Sequence, residues 1–307
     1  MADVVELINL SKDFAGYTAV DDLSFSVAEG EVMGFVGPNG AGKTTTLRML
    51  LGLANPTGGD ARILGTSIRD NKSYLNNVGY LPDVPAFYGW MTARDFMKFS
   101  GELFGIDSIF LKSRTDELLE LVGLGGEKKK IRSFSRGMKQ RLGLAQALIN
   151  DPKVVFLDEP TSALDPIGRK DMLETIDKIK DHSTVFFSTH ILSDVERVCS
   201  KVAILNKGKL VAYNDLTALK EQYGVSKYQI TFSEVNSRLI ENFKISDLIT
   251  SSKIEGHNFM ITVSDAIQAA TEIPRIAVEC NVGIMSMSHT EPNLEDIFIK
   301  LVNGDGN

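Results

Sequence analysis

Apolar residues in this chain follow two rhythms. Near the start, VVELINL at 4–10 and LSFSV at 23–27 alternate apolar with polar side chains, which predicts two strands of an antiparallel unit. The run EVMGFVGPNGAGKTTTLRMLLGL then passes from a strand at 32–36 through a glycine-rich loop into a helix from 43 to about 51. Pro56 and Gly58-Gly59-Asp60 mark a turn before a short strand at 61–64. Residues 92–125 read as mostly helical, with Leu118, Leu119, Val122 and Leu124 on one apolar face. FSRGMKQR at 134–141 opens a helix over 135–149, capped by Ser135, buried along Leu142, Leu144 and Leu148, and stopped by Asn150-Asp151-Pro152.

The second rhythm is continuous rather than alternating. VVFLDEP at 154–160 is an unbroken apolar run closing on two carboxylates, the pattern of a strand buried on both faces of a parallel sheet. A helix at about 166–181, the strand TVFFSTH, a helix at about 192–199 and the strand KVAILNKG continue the alternation of strand and helix. After KLVAYND the units become smaller, with KYQITFS, NFMITVS and VGIMSMS as strands and helices between and after them. Two domains are therefore expected, residues 1–216 and 217–307.

Composition narrows the classes. The chain has 307 residues, enough for two domains when single domains cluster around about 100–150. Its 43% hydrophobic and 24% charged residues are those of an ordinary globular protein. No apolar run approaches the ~18 residues that span a bilayer, and MADVVELINL lacks the basic-then-apolar layout of a secretory leader. A cytoplasmic chain is expected, with any membrane role coming through a partner. Cys199 and Cys280 are too far apart for a metal motif, and two cysteines make no disulfide framework. The net charge is −7, and residues 217–307 hold 12 acidic against 7 basic side chains. That balance argues against a nucleic-acid surface, which needs a basic face.

Gly37-Pro38-Asn39-Gly40-Ala41-Gly42-Lys43-Thr44 fits G-x-x-x-x-G-K-[ST] and stands between a predicted strand and helix. Glycines let successive N–H groups curl inward onto phosphate oxygens, and the helix that follows adds its positive end. Lys43 can reach the β and γ oxygens, and the Thr44 hydroxyl is a hard oxygen suited to Mg²⁺. This is a site for ATP or GTP. Asp158 and Glu159 then emerge at the carboxyl end of a buried strand, where open α/β sheets place their ligands. Asp158 is expected to hold Mg²⁺ through water and Glu159 to orient the water that attacks the γ-phosphate. His190, at the end of the next core strand, is placed to sense that phosphate.

Together these residues resemble the ATPase subunit of ABC transporters over about residues 2–216. That family carries a phosphate loop, a Q-loop, an LSGGQ signature, a Walker B strand ending in Glu, a D-loop and a switch histidine. Here the pattern falls on residues 37–45, Asp83, residues 134–138, residues 154–159, Ser162-Ala163-Leu164-Asp165 and His190. The fold class it implies is α/β: a P-loop NTPase core with parallel sheet, an antiparallel β subdomain, a helical subdomain and a small α+β C-terminal domain. It implies that Asn39, Gly40, Ala41, Gly42, Lys43, Thr44 and Thr45 hold the triphosphate of ATP, and that Thr44, Asp83 and Asp158 hold Mg²⁺. Glu159 and His190 would be catalytic. Ser135, Gly137 and Asp165 would serve a nucleotide held by a second ATPase subunit, in a homodimer or heterodimer. Phe14 stands where the family stacks an aromatic on adenine, with Tyr17 the nearby alternative.

Two positions depart from the family pattern. Asp83 replaces the usual Gln and adds negative charge beside Asp158 and Glu159. In the signature, Phe134, Arg136 and Met138 replace Leu, Gly and Gln, and Arg136 is either a phosphate contact or a solvated helix-start cation. Asp83, SRGMKQR and the ending EPNLEDIFIKLV resemble the branch that pairs with ABC-2-type membrane subunits and exports drugs, antibiotics, lipids or polysaccharides. In that branch the terminal domain supports dimerisation or regulation. The aromatic segment at 84–105, with Trp90, corresponds to the region that docks the membrane subunit, which would hold the chain at the cytoplasmic face of the cell membrane. The competing reading is a soluble ABC-family ATPase acting on a non-membrane partner. Ribosomal members carry two cassettes and DNA-repair members a long coiled coil, and neither is present here. The cargo is not written in this chain.

Overall fold

A computed structural model describes residues 2–162, 164–224 and 226–304. The chain divides into two units, Met1–Leu216 and Thr217–Asn307. In the first, the elements run β1 (Asp3–Phe14), β2 (Tyr17–Ala28), β3 (Val32–Val36), α1 (Lys43–Leu50), β4 (Gly58–Ile63), β5 (Thr66–Ser67) and β6 (Val78–Leu81). They continue with α2 (Ala93–Leu103), α3 (Ser108–Leu121), α4 (Arg136–Ala147), β7 (Val154–Asp158), α5 (Pro166–Ile179), β8 (Thr184–Thr189), α6 (Leu192–Val198), β9 (Lys201–Asn206) and β10 (Lys209–Asp215). An antiparallel sheet has the order β2-β1-β4-β5, and a six-stranded sheet the order β10-β9-β3-β8-β7-β6.

Within the larger sheet β9, β3, β8, β7 and β6 are parallel, and β10 pairs antiparallel at the edge. Every residue of β3, β7 and β8 is buried, which is why those sequences read as apolar runs rather than alternations. Phe35, Phe156 and Phe186 meet with ring centroids 5.0 and 5.5 Å apart, and Phe25 of β2 packs 5.8 Å from Phe35. The same core takes in Leu47, Met49 and Leu50 of α1, so the helix after the phosphate loop is anchored by its apolar face.

The strand β6 has no counterpart among the sequence expectations. VGYL is too short to show a period, and it pairs with β7 from Val78↔Val154 to Leu81↔Leu157. Gly79 is required there: a Cβ would fall 2.0 Å from the Ala147 carbonyl oxygen at the end of α4. That close approach of α4 to β6 carries the chain to Asp83 two residues past the strand.

The second unit follows α7 (Leu216–Tyr223) with β11 (Ser226–Phe232), α8 (Ser237–Ile245), β12 (Ile249–Glu255), β13 (Asn258–Val263), α9 (Ala266–Glu279), β14 (Ile284–Thr290) and α10 (Leu294–Gly304). Its antiparallel sheet runs β12-β13-β11-β14. Phe232, Phe243 and Phe259 meet edge to face at 5.0–5.8 Å in a core shared with Leu239 of α8 and Ile273 of α9. This unit has an apolar centre of its own. The strand β12 was also absent from the sequence expectations, because six of its seven residues are exposed and no apolar alternation marks it.

Candidate functional site

The loop between β3 and α1 turns because Gly40 and Gly42 adopt positive φ values of 82° and 104°. Gly42 is also pressed against the antiparallel sheet, where a Cβ would stand 2.5 Å from the Ala19 carbonyl oxygen. As the residue capping α1 it offers no side chain, leaving the first-turn N–H groups of the helix open to an anion. The turn between β9 and β10 closes the back of the loop. Gly208 N–H donates to the Ala41 carbonyl at 3.1 Å, and its own carbonyl accepts from Asp21 N–H at 2.8 Å.

Lys43 opens α1 with its ammonium folded back over the loop. Nζ donates to the carbonyls of Gly37 at 2.7 Å and Pro38 at 3.3 Å and stands 3.7 Å from Glu159 Oε1. Burial lowers its pKa, and the Glu159 and Asp158 carboxylates oppose that shift. Asp158 closes β7, buried beneath the loop and hydrogen-bonded by the Thr44 and Ser188 hydroxyls, the latter at 3.1 Å. Burial raises its carboxyl above the ordinary range, and the neighbouring Glu159 and Asp83 charges add to that.

Glu159 follows with φ of 49°, a left-handed conformation unusual for a side chain of this size. Its N–H donates across to the Ser188 carbonyl at 2.8 Å. Its Oε2 receives Thr189 Oγ1 at 3.2 Å and lies 2.9 Å from His190 Nδ1. The Glu159 side chain is 12% exposed and that of His190 45%, so the pair faces solvent from the carboxyl ends of β7 and β8.

A cavity of about 280 Å³ lies over these groups. Asn39, Gly40, Gly42, Lys43, Thr44, Thr45, Asp83 and Glu159, all singled out from sequence, line it together with Tyr17 and Ala19. Asp83 is held toward it by Ser162, whose hydroxyl donates to Asp83 Oδ1 at 3.1 Å. Ala41 does not line the cavity: it is buried, and its N–H is spent on the Pro38 carbonyl. Phe14 is not in the lining either. It is 51% exposed at the end of β1, with Lys12 Nζ 5.0 Å from its ring centroid. Tyr17, across the hairpin, is the aromatic in the lining, its hydroxyl 3.4 Å from the Gly40 carbonyl.

Ser135, Gly137 and Asp165 stand apart from this cavity. Ser135 caps α4 by accepting from Met138 N–H at 3.1 Å, and Asp165 caps α5 by accepting from Gly168 N–H at 3.0 Å. Arg136 is exposed beside Ser135. A Cβ on Gly137 would meet Leu164 at 3.1 Å, so the signature residues and the loop after Glu159 adjoin each other. Ala163 lies outside the described residues. Sequence reasoning missed Ser188 and Thr189, which hold Asp158 and Glu159. Their signal was two consecutive hydroxyl residues directly after the apolar run Val185-Phe186-Phe187.

Comparison with known proteins completes the assignment. Residues 20–162 match the ABC transporter family, and residues 215–302 match the C-terminal domain of DrrA1-3-like ATP-binding proteins. The ABC transporter ATP-binding protein YxlF of Bacillus subtilis is 38% identical over 97% of this chain and 99% of its own. This chain belongs to the ABC transporter ATP-binding family. It is an ABC ATPase, the ATP-binding subunit of a transporter. The bacitracin transport ATP-binding protein BcrA of Bacillus licheniformis is 37% identical over 99% of each chain. Its namesake in Enterococcus faecalis is 33% identical over 100% of this chain and 98% of its own. Among solved structures, an ATP-binding subunit of an ABC transporter superposes with a TM-score of 0.66 at 29% identity, covering 72% of this ABC ATPase and 93% of that chain. The dimeric structure of a post-hydrolysis cassette bound to ADP and Pi shares the fold, with a TM-score of 0.64 at 23% identity over 69% of this chain and 98% of that one. No helix among the described residues is long and apolar enough to cross a membrane.

Proposed function

We propose that this ABC ATPase drives export of drug- or antibiotic-class cargo through separate ABC-2-type membrane subunits, by ATP-driven pairing of two cassettes. The observation that carries the catalytic part is a cavity lined by Lys43, Thr44 and Glu159, with Asp158 hydrogen-bonded behind Thr44 and His190 Nδ1 2.9 Å from Glu159 Oε2. Lys43 and the open N–H groups of α1 would take the β and γ phosphates. Glu159 would accept the proton of the attacking water, with His190 and Thr189 fixing the carboxylate on its other oxygen. Phe14, half-exposed at the end of β1, would stack on adenine, with Tyr17, which lines the cavity at Gly40, as the alternative.

The residues present fit Mg²⁺. The Thr44 hydroxyl and the Asp158 carboxylate that accepts its hydrogen bond are hard oxygens, and Asp83 brings a further carboxylate to the cavity. Bound there, the cation would neutralise phosphate charge.

Pairing is supported by the separation of Ser135, Gly137 and Asp165 from the cavity of their own chain. Each sits at or beside a helix start, so a second copy would bring a second set of N–H groups to the triphosphate. The membrane partner is supported by the aromatic segment after Asp83. Met97 is core, whereas Trp90 is 66% exposed, its ring 6.2 Å from that of Tyr88, which with Phe87, Phe96, Phe99 and Leu103 lines a groove of about 370 Å³. A peripheral position at the cytoplasmic membrane face follows from that partner. The antibiotic class rests on relatives named for bacitracin transport and linearmycin resistance.

Glu159→Gln tests the reading. The purified variant is expected to lose hydrolysis by roughly 10²–10⁴-fold while ATP shifts it from monomer to dimer in light scattering. Wild-type hydrolysis by that variant would remove Glu159 from its role.

A further inference from the structure

We propose that Asp194 is a positioning residue for hydrolysis, clamping the segment that carries His190 onto the loop that carries Glu159. The proposal rests on the reading of Glu159 and His190 given above. Asp194 lies in the first turn of α6, four residues after His190, with a side chain only 2% exposed. Both carboxylate oxygens are engaged. Oδ2 accepts from Thr161 Oγ1 at 2.6 Å, and Oδ1 accepts from Arg169 Nε at 2.6 Å. Arg169 also donates from Nη2 to Ser193 Oγ at 2.8 Å.

The two partners bracket the loop of interest. Thr161 follows Glu159 by two residues, and Arg169 stands in the first turn of α5, just after its Asp165 cap. One carboxylate therefore ties the chain beyond His190 to both ends of the segment that begins at Glu159. An ion pair with one buried and one part-exposed partner is a poor choice for cohesion alone, since apolar side chains of similar size hold helices together as well or better. Leu173 of α5 and Val195 of α6 are already buried. What the ionic cluster adds is direction, because bonds to two oxygens of one carboxylate fix rotation as well as distance. The quantity it fixes is the 2.9 Å contact between His190 Nδ1 and Glu159 Oε2. That contact joins the ends of the neighbouring strands β7 and β8. Glu159 N–H to the Ser188 carbonyl and Thr189 Oγ1 to Glu159 Oε2 hold those ends from the strand side, while the Asp194 cluster holds the chain segments beyond them. Reacting groups tolerate displacement poorly, with about 1 Å costing up to 10²-fold in rate.

Thr161→Val in the full chain removes one hydroxyl without changing shape and leaves the Asp194–Arg169 pair in place. The expected result is a fall in kcat of roughly tenfold with KM for ATP unchanged, measured far enough below a modestly lowered melting temperature that the variant stays folded. Thr161→Ser, which keeps the hydroxyl, restores the rate. Arg169→Gln lowers kcat further. In a Glu159→Gln background Thr161→Val has no additional effect, because the clamp acts through that carboxylate. Wild-type kcat in Thr161→Val overturns the proposal, as does a fall in kcat that merely tracks lost stability. If Glu159→Gln alone hydrolyses ATP normally, the reading of Glu159 fails instead, whatever Thr161→Val does.

Discussion

Asp158 shows what the site costs at the scale of one residue. Its carboxylate is buried beneath the phosphate loop and raised in pKa chiefly by that burial, so the charged form weakens the folded state until a cation offsets it. Asp158→Asn should therefore melt higher than the wild type without nucleotide, yet lose most of its stabilisation by Mg-ATP. The pH dependence has a definite sign. A carboxyl raised in the folded state is penalised above its folded pKa and relieved as pH falls through that value toward the ordinary range. The advantage of Asp158→Asn should thus be present at neutral pH and vanish in acid, as followed by calorimetry across pH. An advantage that grew in acid would contradict the assignment. At this scale most of the site was legible, because Lys43, Thr44, Asp158, Glu159 and His190 carry their chemistry in their identities. That Ala41 is buried outside the cavity lining was not legible, because its motif position says nothing of where its methyl group goes. Which of Phe14 and Tyr17 lines the cavity was not legible, because that depends on the hairpin that brings Tyr17 to Gly40.

At the scale of elements, glycine marks where the helix and sheet layers touch. Gly79 lets α4 end directly on β6, with no room for a methyl group before the Ala147 backbone. Gly79→Ala should destabilise the first unit by about 1–3 kcal/mol, read as a lower midpoint in denaturant. Gly126→Ala, with nothing within 4 Å of the new Cβ and no positive φ, is the control and should stay within about 0.5 kcal/mol. Equal midpoints for the two variants would show that the contact is not tight. The long apolar runs of β3, β7 and β8 were readable because burial on both faces leaves no polar positions. In β6 and β12 that signal fails for opposite reasons. The first is four residues long, and the second exposes nearly all its side chains and is held by backbone pairing with β13.

At the scale of the whole molecule, the cavity residues all fall before Leu216 and each unit has its own apolar centre. The chain ended after Leu216 should therefore bind Mg-ATP within roughly twofold of the full-length affinity, as energetically independent units do. A calorimetric titration showing lost binding would mean that the second unit contributes to the nucleotide site. That unit was the harder half to interpret from sequence: its short strands specify a fold, but none of its side chains forms a chemical motif.

The Gly208 turn binds the phosphate loop through Ala41 and the antiparallel sheet through Asp21. Straightening the loop at Ala41 therefore means giving up a hydrogen bond to a hairpin contributed from far along the chain. Gly208, which never meets ATP, thereby helps to hold the curvature of its cradle.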